Sequence, residues 1–448
     1  MPSASRPELR SPNGSTSTRT TAVLTCQSLT SDAPRLLRPS SDVEDYDTYR
    51  RAGGYRGLAD PDELLDEVQR SGLLGRGGAA FPLAVKLRAV RDAGHRGHRT
   101  VVVANGEEGE PASVKDRWLQ RHRPHLVLDG LRLAARIVGA DQAYVYVSDP
   151  QAARSLGAAL AELDGHAVAG LRIDLHTVEP GYVAGEETAA VRAINGGPAK
   201  PTDKPPRPFE HGVGGHPTLV SNVETLANLP YLHRHGAKAF RSEGTSFSPG
   251  TFLLTVTGAD RPAALYEVPH GLAFTDLLAA HGVPAEEVRG VLTGGYFAGL
   301  LNRDVVDATL DHETLRRLGS ALGCGAISVL THDCPVAVAA SVLAYFGREN
   351  AGQCGSCFNG TVAMAAVAEA LRDGVATQED LARLQRWSGV LRGRGACATL
   401  DGATNVAATL LVQFPQLVTR HLESGCATCS DGVFSATRPY EVQPVVPA

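Results

Sequence analysis

Between residues 100 and 178 the chain alternates short apolar runs with longer segments whose apolar positions recur every three or four residues. Residues 100–104, 143–147 and 171–178 read as strands; the first is a brief β-branched run that suits a buried place in a sheet. Residues 125–139 and 151–163 carry helical spacing. Asp60-Pro61-Asp62-Glu63 opens an earlier helix, with a capping carboxylate, proline at the first position and acids that complement the helix dipole. Strands alternating with helices predict βαβ units and a parallel sheet, an α/β architecture that commonly places ligands at the carboxyl ends of its strands.

Farther on the pattern changes. Strand-like runs at 251–257, 288–292 and 326–330 surround a short helix at 274–280, which suits a compact α+β module. After Asp333 the spacing is helical, at 336–346, 361–372, 378–387 and 404–421. The N-terminal stretch is rich in Ser, Thr, Arg and Pro, has little apolar periodicity, and lacks the compact apolar core of a secretory signal. A disordered tail over residues 1–55 is expected.

At 448 residues the chain is too long for one core. A net charge of −5, with no basic stripe, gives no footing for nucleic acid. No window is apolar and uncharged for long enough to predict a membrane span. Eight cysteines in so long a chain do not make a secreted disulfide framework. Five of them follow residue 350, in two C-x-x-C pairs plus Cys397, which reads as metal binding in a reducing, cytoplasmic setting.

Several segments carry candidate chemistry. Cys354-Gly355-Ser356-Cys357 precedes a helical run, and Cys397 lies forty residues on. Two thiolates at this spacing grip a metal centre from one turn and a third closes around it, as zinc or an iron–sulfur cluster. The loop from Gly75 to Pro82 holds Gly75, Gly77 and Gly78, and its backbone can approach a flat ring or a phosphate, with Lys86 within reach. Alone it is equally an ordinary flexible loop. Asn105-Gly106-Glu107-Glu108-Gly109-Glu110-Pro111 follows a strand directly, where such sheets seat ligands. Its three carboxylates are either a solvated acidic turn or acceptors for a hydroxyl-rich ligand. Tyr182-Val183-Ala184-Gly185-Glu186-Glu187-Thr188 repeats the theme ahead of a helix. The histidines have no motif around them and read as surface or packing residues.

Taken in order, Gly75–Pro82, Asn105–Arg117, Tyr182–Thr188, Lys204-Pro205-Pro206, Asn222-Val223-Glu224-Thr225-Leu226-Ala227-Asn228 and the cysteine turn make the chain resemble the flavin-bearing subunit of complex I NADH dehydrogenase and the diaphorase subunits of hydrogenases and formate dehydrogenases. The resemblance runs from about residue 60 to about residue 420. It implies a Rossmann-like FMN-binding domain (56–248), a small β-grasp domain (249–332), a helical domain holding a [4Fe-4S] cluster (333–422) and a cysteine-containing tail (423–448). It implies that Gly75, Gly77, Gly78 and Lys86 hold the FMN phosphate and ribityl side, that Asn105, Glu107 and Glu108 meet the flavin, and that Asn222 and Thr225 complete the pocket. Tyr182, Gly185, Glu186 and Glu187 would flank the ring face where nicotinamide stacks, and Glu110 would approach the dinucleotide. Phe81 would pack either on the nucleotide or in the core. Hydride would pass from NADH or NADPH to the flavin, and electrons would leave singly through the cluster at Cys354, Cys357 and Cys397 to an iron–sulfur partner protein or a quinone pathway.

The chain departs from the family at four places. Ala351 stands where the family's first cluster cysteine would be. Arg207, beside Lys204, replaces an aromatic residue expected to stack on adenine, and its guanidinium suits both adenine and a 2′-phosphate. Ser221 replaces an asparagine. The tail adds Cys426 and Cys429, which either fold back to supply the missing thiolate, form a separate zinc site, or stand as an idle pair. Two other readings fit these changes: a flavoprotein of the same fold without its cluster, and a non-catalytic subunit with structural zinc at the C-x-x-C pairs.

Overall fold

The computed structural model describes residues 24–38, 42–163, 168 and 170–442. Its strands, in chain order, are β1 (Thr25–Ser28), β2 (Val101–Asn105), β3 (Gln142–Val147), β4 (Arg172–Thr177), β5 (Thr218–Asn222), β6 (Thr251–Gly258), β7 (Ala264–Pro269), β8 (Leu272–Ala273), β9 (Gly290–Thr293), β10 (Leu300–Asn302), β11 (Thr309–Leu310) and β12 (Ala326–Leu330). The molecule is a mixed α/β structure with parallel pairing in both larger sheets.

The first large sheet is wholly parallel, in the order β4-β3-β2-β5. Its centre shows why the sequence there is apolar throughout. Val102 and Ala104 of β2 point into one core cluster with Leu126, Leu131 and Leu226, whereas Val101 and Val103 point into another with Tyr146, Ala190 and Val220. Side chains alternate across a strand, so a sheet covered on both faces needs apolar residues at every position. Helix Pro124–Val138, buried along nearly its whole length, covers the first face, and helix Glu187–Ile194 lies on the second. The expected helix start at Asp60 is present: helix Pro61–Ser71 begins with the Asp60 carboxylate accepting from the Asp62 and Glu63 amides.

The second large sheet is mixed, in the order β1-β7-β6-β12-β9-β10. Phe252, Leu254, Val256 and Tyr266 face helix Phe274–His281 on one side. The other side is shared: Leu253 and Leu265 join the core of the parallel-sheet unit, and Leu292, Ala326 and Leu330 join that of the C-terminal helices. Those helices are Pro335–Glu349, Gly355–Arg372, Gln378–Val390, Thr399–Gln413, Pro415–Glu423 and Ala427–Asp431.

Three expectations need correction. The helix expected over 404–421 is two helices, because Pro415 starts a new one after Phe414. β5 was not recognised as a strand from its sequence, and it supplies the fourth strand of the parallel sheet. The disordered tail expected over 1–55 holds ordered structure in its later part: β1 pairs with β7, Leu36 and Leu37 are buried, and helix Tyr46–Arg51 is capped by Asp45. Sparse apolar residues hid this, since the segment adds to cores built by others. The part of that expectation on residues 1–23 lies outside the described residues.

Candidate functional site

The loops after β2 and β5 meet at one edge of the parallel sheet, and the glycine turn closes on them. Asn222 ends β5 and caps helix Val223–Ala227, its Oδ1 accepting from the Glu224 and Thr225 amides at 3.0 and 3.4 Å. Its Nδ2 donates to Asp116 Oδ2 at 2.7 Å. The Thr225 hydroxyl accepts from the Arg76 amide at 2.8 Å, which pins the glycine turn. A Cβ at Gly77 would stand 3.2 Å from Asn222 Cβ. At Gly78, φ is +122° and nothing lies within 4 Å of a Cβ position, so this glycine serves a conformation other residues avoid, beside open space. The Gly75 amide donates to the Phe81 carbonyl at 2.9 Å and closes the turn.

At the end of β2, Asn105 Nδ2 donates to the Gly185 carbonyl at 2.8 Å, while its buried Oδ1 has no partner. Glu107 Oε1 accepts from the Gly181 amide at 3.3 Å, and its buried Oε2 likewise has no partner. Gly185 is required here, since a Cβ would lie 2.5 Å from Glu107 Oε2. Burial pushes the Glu107 carboxyl up to about 8. Two buried acceptors without donors are costly, and a ligand with hydroxyl or N–H groups would relieve both.

The other acids are placed differently. Glu108 is engaged by its own loop, accepting from Ser113 Oγ, the Asp116 and Arg117 amides and Arg117 Nε. Glu110 turns toward the second sheet and accepts from the Tyr296 amide at 3.0 Å, and burial raises it to about 7. Glu186 caps helix Glu187–Ile194 and pairs with Lys204 at 2.7 Å. Glu187 lies 3.3 Å from Lys86 and 3.7 Å from Lys204. Lys86 also donates to the Val220 carbonyl of β5, so this chain of two acids and two lysines borders the same sheet edge. Tyr182 is held edge-on against Tyr345 and Phe346 of helix Pro335–Glu349. Phe81 is 46% exposed and does not serve the core. Arg207 is exposed, its amide donating to Glu210 at 2.8 Å.

Gly75, Gly77, Gly78, Asn105, Glu107, Gly185, Asn222 and Thr225 are thus brought together. Beneath them lies a buried charge network that sequence reading missed. Lys115 is 1% exposed and contacts Asp116 at 2.8 Å and Glu224 at 2.9 Å, and Arg76 Nε lies 3.8 Å from Glu224. Burial works against the Lys115 charge, yet Asp116 and Glu224 raise its pKa above the ordinary value. Two cations against two anions leave the network balanced, and it braces both the glycine turn and Asn222.

The cysteine turn forms a second centre. Cys354 is the cap residue of helix Gly355–Arg372, Cys357 lies in its first turn, and Cys397 precedes helix Thr399–Gln413. All three line one small cavity together with Pro201, Ala351, Gln353 and Ala396. Ala351 contributes no donor atom. The Ala396 amide donates to Cys354 Sγ at 3.4 Å, and burial pushes the Cys357 thiol up to about 12. The turn is docked on the parallel-sheet unit: Gln353 Nε2 donates to the Pro201 carbonyl at 2.7 Å and Lys200 Nζ to the Ala351 carbonyl at 3.0 Å. Cys426 and Cys429 do not line this cavity. They stand with Cys334 and His421, which sets the fold-back alternative aside and corrects the reading of the histidines as surface or packing residues. The spacing His421-x4-Cys426-x2-Cys429 was the signal available for that group.

Residues 68–231 match the family profile described as Nuo51 FMN-binding domain, and residues 337–421 match that of the NADH-ubiquinone oxidoreductase-F iron-sulfur binding region. An F subunit of the NADH-quinone oxidoreductase of Rhizobium meliloti, the one numbered 2, is 33% identical over 414 residues, covering 87% of this chain and 98% of the relative. The NADP-reducing hydrogenase subunit HndC of Solidesulfovibrio fructosivorans is 30% identical, with 90% and 85% covered. Among solved structures, a chain of an NAD+-reducing [NiFe]-hydrogenase in the H2-reduced state matches with a TM-score of 0.75 and 32% identity. That match covers 82% of this chain and 63% of the hydrogenase chain.

Proposed function

The chain belongs to the family of NADH-quinone oxidoreductase F subunits, and on that basis we propose that it oxidises a reduced nicotinamide at an FMN seated on the β2–β5 edge, passing electrons through an iron–sulfur cluster at Cys354, Cys357 and Cys397. When bound, FMN takes up a hydride and gives the two electrons back singly, and the cluster carries them one at a time. The observation that carries the flavin assignment is the pair of buried, partnerless acceptors, Asn105 Oδ1 and Glu107 Oε2, beside glycines that leave room for a ligand.

The chain's own residues then divide the work. Amides of the Gly75–Phe81 turn, held by Thr225, face the phosphate end, with Lys86 near by. Asn105 Oδ1 accepts from the ligand's hydroxyl or N–H groups, and the Glu107 carboxyl, protonated below about pH 8, offers its free oxygen as a hydrogen-bond partner. Glu186 and Glu187, kept in place by Lys204 and Lys86, border the nicotinamide side. Docking of the cysteine turn on Pro201 and Lys200 fastens the cysteine cavity to the parallel-sheet unit, where it would hold the cluster on the side of the flavin-binding unit. Cys354, Cys357 and Cys397 around one cavity would hold the cluster, and Ala351 would offer it no thiolate.

The reading carries with it a domain order of our own proposal: a Rossmann-like unit over 56–248, a β-grasp module over 249–332 and a helical cluster domain over 333–422. The helix Phe274–His281 packed on the second sheet supports the middle assignment. The relatives are named as subunits of larger oxidoreductases, which supports an iron–sulfur partner protein as the acceptor. We place the protein on the cytoplasmic side as a peripheral component, which its relatives' names as oxidoreductase subunits support; no described helix is long and apolar enough to cross a membrane.

Heat release of the bound cofactor followed by chromatography tests the assignment. FMN is expected at one per chain, with NADH-dependent reduction of ferricyanide. Recovery of FAD, or of no flavin after supplementation with FMN, overturns it.

A further inference from the structure

Four buried side chains outside the flavin site and the cysteine cavity converge on one point. The ligand atoms of Cys334, His421, Cys426 and Cys429 all lie within 4.8 Å of one another. His421 Nε2 is 3.3 Å from Cys334 Sγ and 4.0 Å from Cys429 Sγ. We propose that these residues bind one zinc ion in a closed structural site, distinct from the cluster cavity.

The geometry selects a single tetrahedral ion. Zinc–sulfur bonds of about 2.3 Å and zinc–nitrogen bonds of about 2.0–2.1 Å place neighbouring ligand atoms about 3.5–3.8 Å apart, inside the range found here. A four-iron cluster spreads its ligands farther, because each binds a different iron. The donor set, three cysteines and one histidine, is a common one for structural zinc.

Local structure prepares each ligand. His421 Nδ1 lies 3.0 Å from the Leu371 carbonyl, which can only accept, so Nδ1 carries the proton and Nε2 turns its lone pair toward the thiols. Cys334 is the cap residue of helix Pro335–Glu349, so its place is fixed by the start of that helix. Cys426 and Cys429 flank the first turn of helix Ala427–Asp431, joined by the Cys429 amide donating to the Cys426 carbonyl at 3.0 Å. Binding would release three thiol protons to solvent and leave histidine neutral, with no change of oxidation state.

The site would also fasten the C-terminal segment. Beyond Cys429 the chain returns across the molecule: the Tyr296 hydroxyl donates to the Pro439 carbonyl, Tyr440 to Asp333 at 2.7 Å, and the Val442 amide to the Pro111 carbonyl at 3.0 Å. Pro111 adjoins Glu110 at the flavin-site loop.

Metal analysis of the full chain tests the proposal. Wild type purified without oxygen should hold one zinc besides its iron. Cys426→Ser with Cys429→Ser, and separately Cys334→Ser, should lose the zinc and keep the iron, whereas Cys354→Ala should lose iron and keep zinc. A second measurement does not depend on a variant folding: wild type grown on cobalt in place of zinc should show the visible bands and sulfur-to-metal charge transfer of tetrahedral thiolate cobalt. Loss of iron with the tail cysteines would make them cluster ligands and overturn the proposal. So would absence of both zinc and the cobalt spectrum, or a disulfide among these cysteines in the purified protein.

Discussion

Glu107→Gln isolates one buried carboxyl. The side chain is 6% exposed, one oxygen has no partner, and burial moves its pKa from the ordinary 4.5 to about 8. In the unfolded chain the group is charged above about pH 4.5, while in the fold it stays protonated until about pH 8. The native state therefore binds the extra proton through this window, and stability falls as pH rises across it. The full cost, reached above both values, is on the order of 5 kcal/mol, accumulating at up to about 1.4 kcal/mol per pH unit. Glutamine keeps the shape and both acceptor and donor capacity but does not titrate. Cofactor-stripped Glu107→Gln should thus be level with wild type near pH 5 and gain on it by about 2–3 kcal/mol between pH 6 and 8. The assay is urea unfolding at several pH values in a Trp387→Phe background, so that buried Trp118 reports the parallel-sheet unit. Stability curves that run parallel over pH 6–8 would refute the placement of Glu107 as a neutral buried acid.

Further outcomes rest on the same geometry. Gly185→Ala puts a Cβ 2.5 Å from Glu107 Oε2, so FMN affinity measured by fluorescence quenching should weaken by about tenfold or more, roughly 1.4 kcal/mol. Arg207→Phe should shift the ratio of kcat/KM for NADPH over NADH toward NADH by about tenfold, as expected for one lost charge-assisted hydrogen bond; an unmoved ratio dismisses Arg207 as a reader of the nucleotide. Ala351→Cys adds a thiol at the lining of the cysteine cavity and should raise the iron retained after exposure to air. The half-buried His312 is pushed down to about 4 by partial burial and by neighbouring Arg76. Stability should therefore rise with pH between about 4 and 6.5, by up to about 3 kcal/mol, and His312→Phe should flatten that slope in urea titrations.

Local signals were readable from the sequence where they were self-contained. Asp60 and Pro61 announced a helix on their own, and the β-branched run at Val101–Val103 announced a strand covered on both faces. β5 was obscured because Thr218–Asn222 is a short run that ends in polar Ser221 and Asn222, and its strand character comes from pairing with β2, more than a hundred residues earlier. The cysteine turn was legible as C-x-x-C. The group around His421 was legible only in part: His421-x4-Cys426-x2-Cys429 is a spacing signal, but Cys334 lies 87 residues before His421 and no spacing rule reaches that far. The charge network failed for a similar reason: Lys115 and Asp116 look like surface residues until helix packing removes water from them. Function-bearing glycines were visible by type, but the need for glycine at Gly185 comes from a carboxylate 78 residues away in the chain.

β1 also guards the edge of the second sheet. It occupies the outer hydrogen-bonding row of β7, and the segment after it delivers the amides of Arg35, Leu36 and Leu37, each at 2.9 Å, to the fully buried Glu267 carboxylate. A chain trimmed to begin at residue 42 would leave β7 as a bare template for another strand and Glu267 without three of its donors. Such an edge recruits a second molecule. The trimmed protein should accordingly appear as strand-exchanged oligomers or precipitate, even though the residues of the flavin site and of both cysteine groups are untouched, so truncation of this tail tests solubility rather than catalysis.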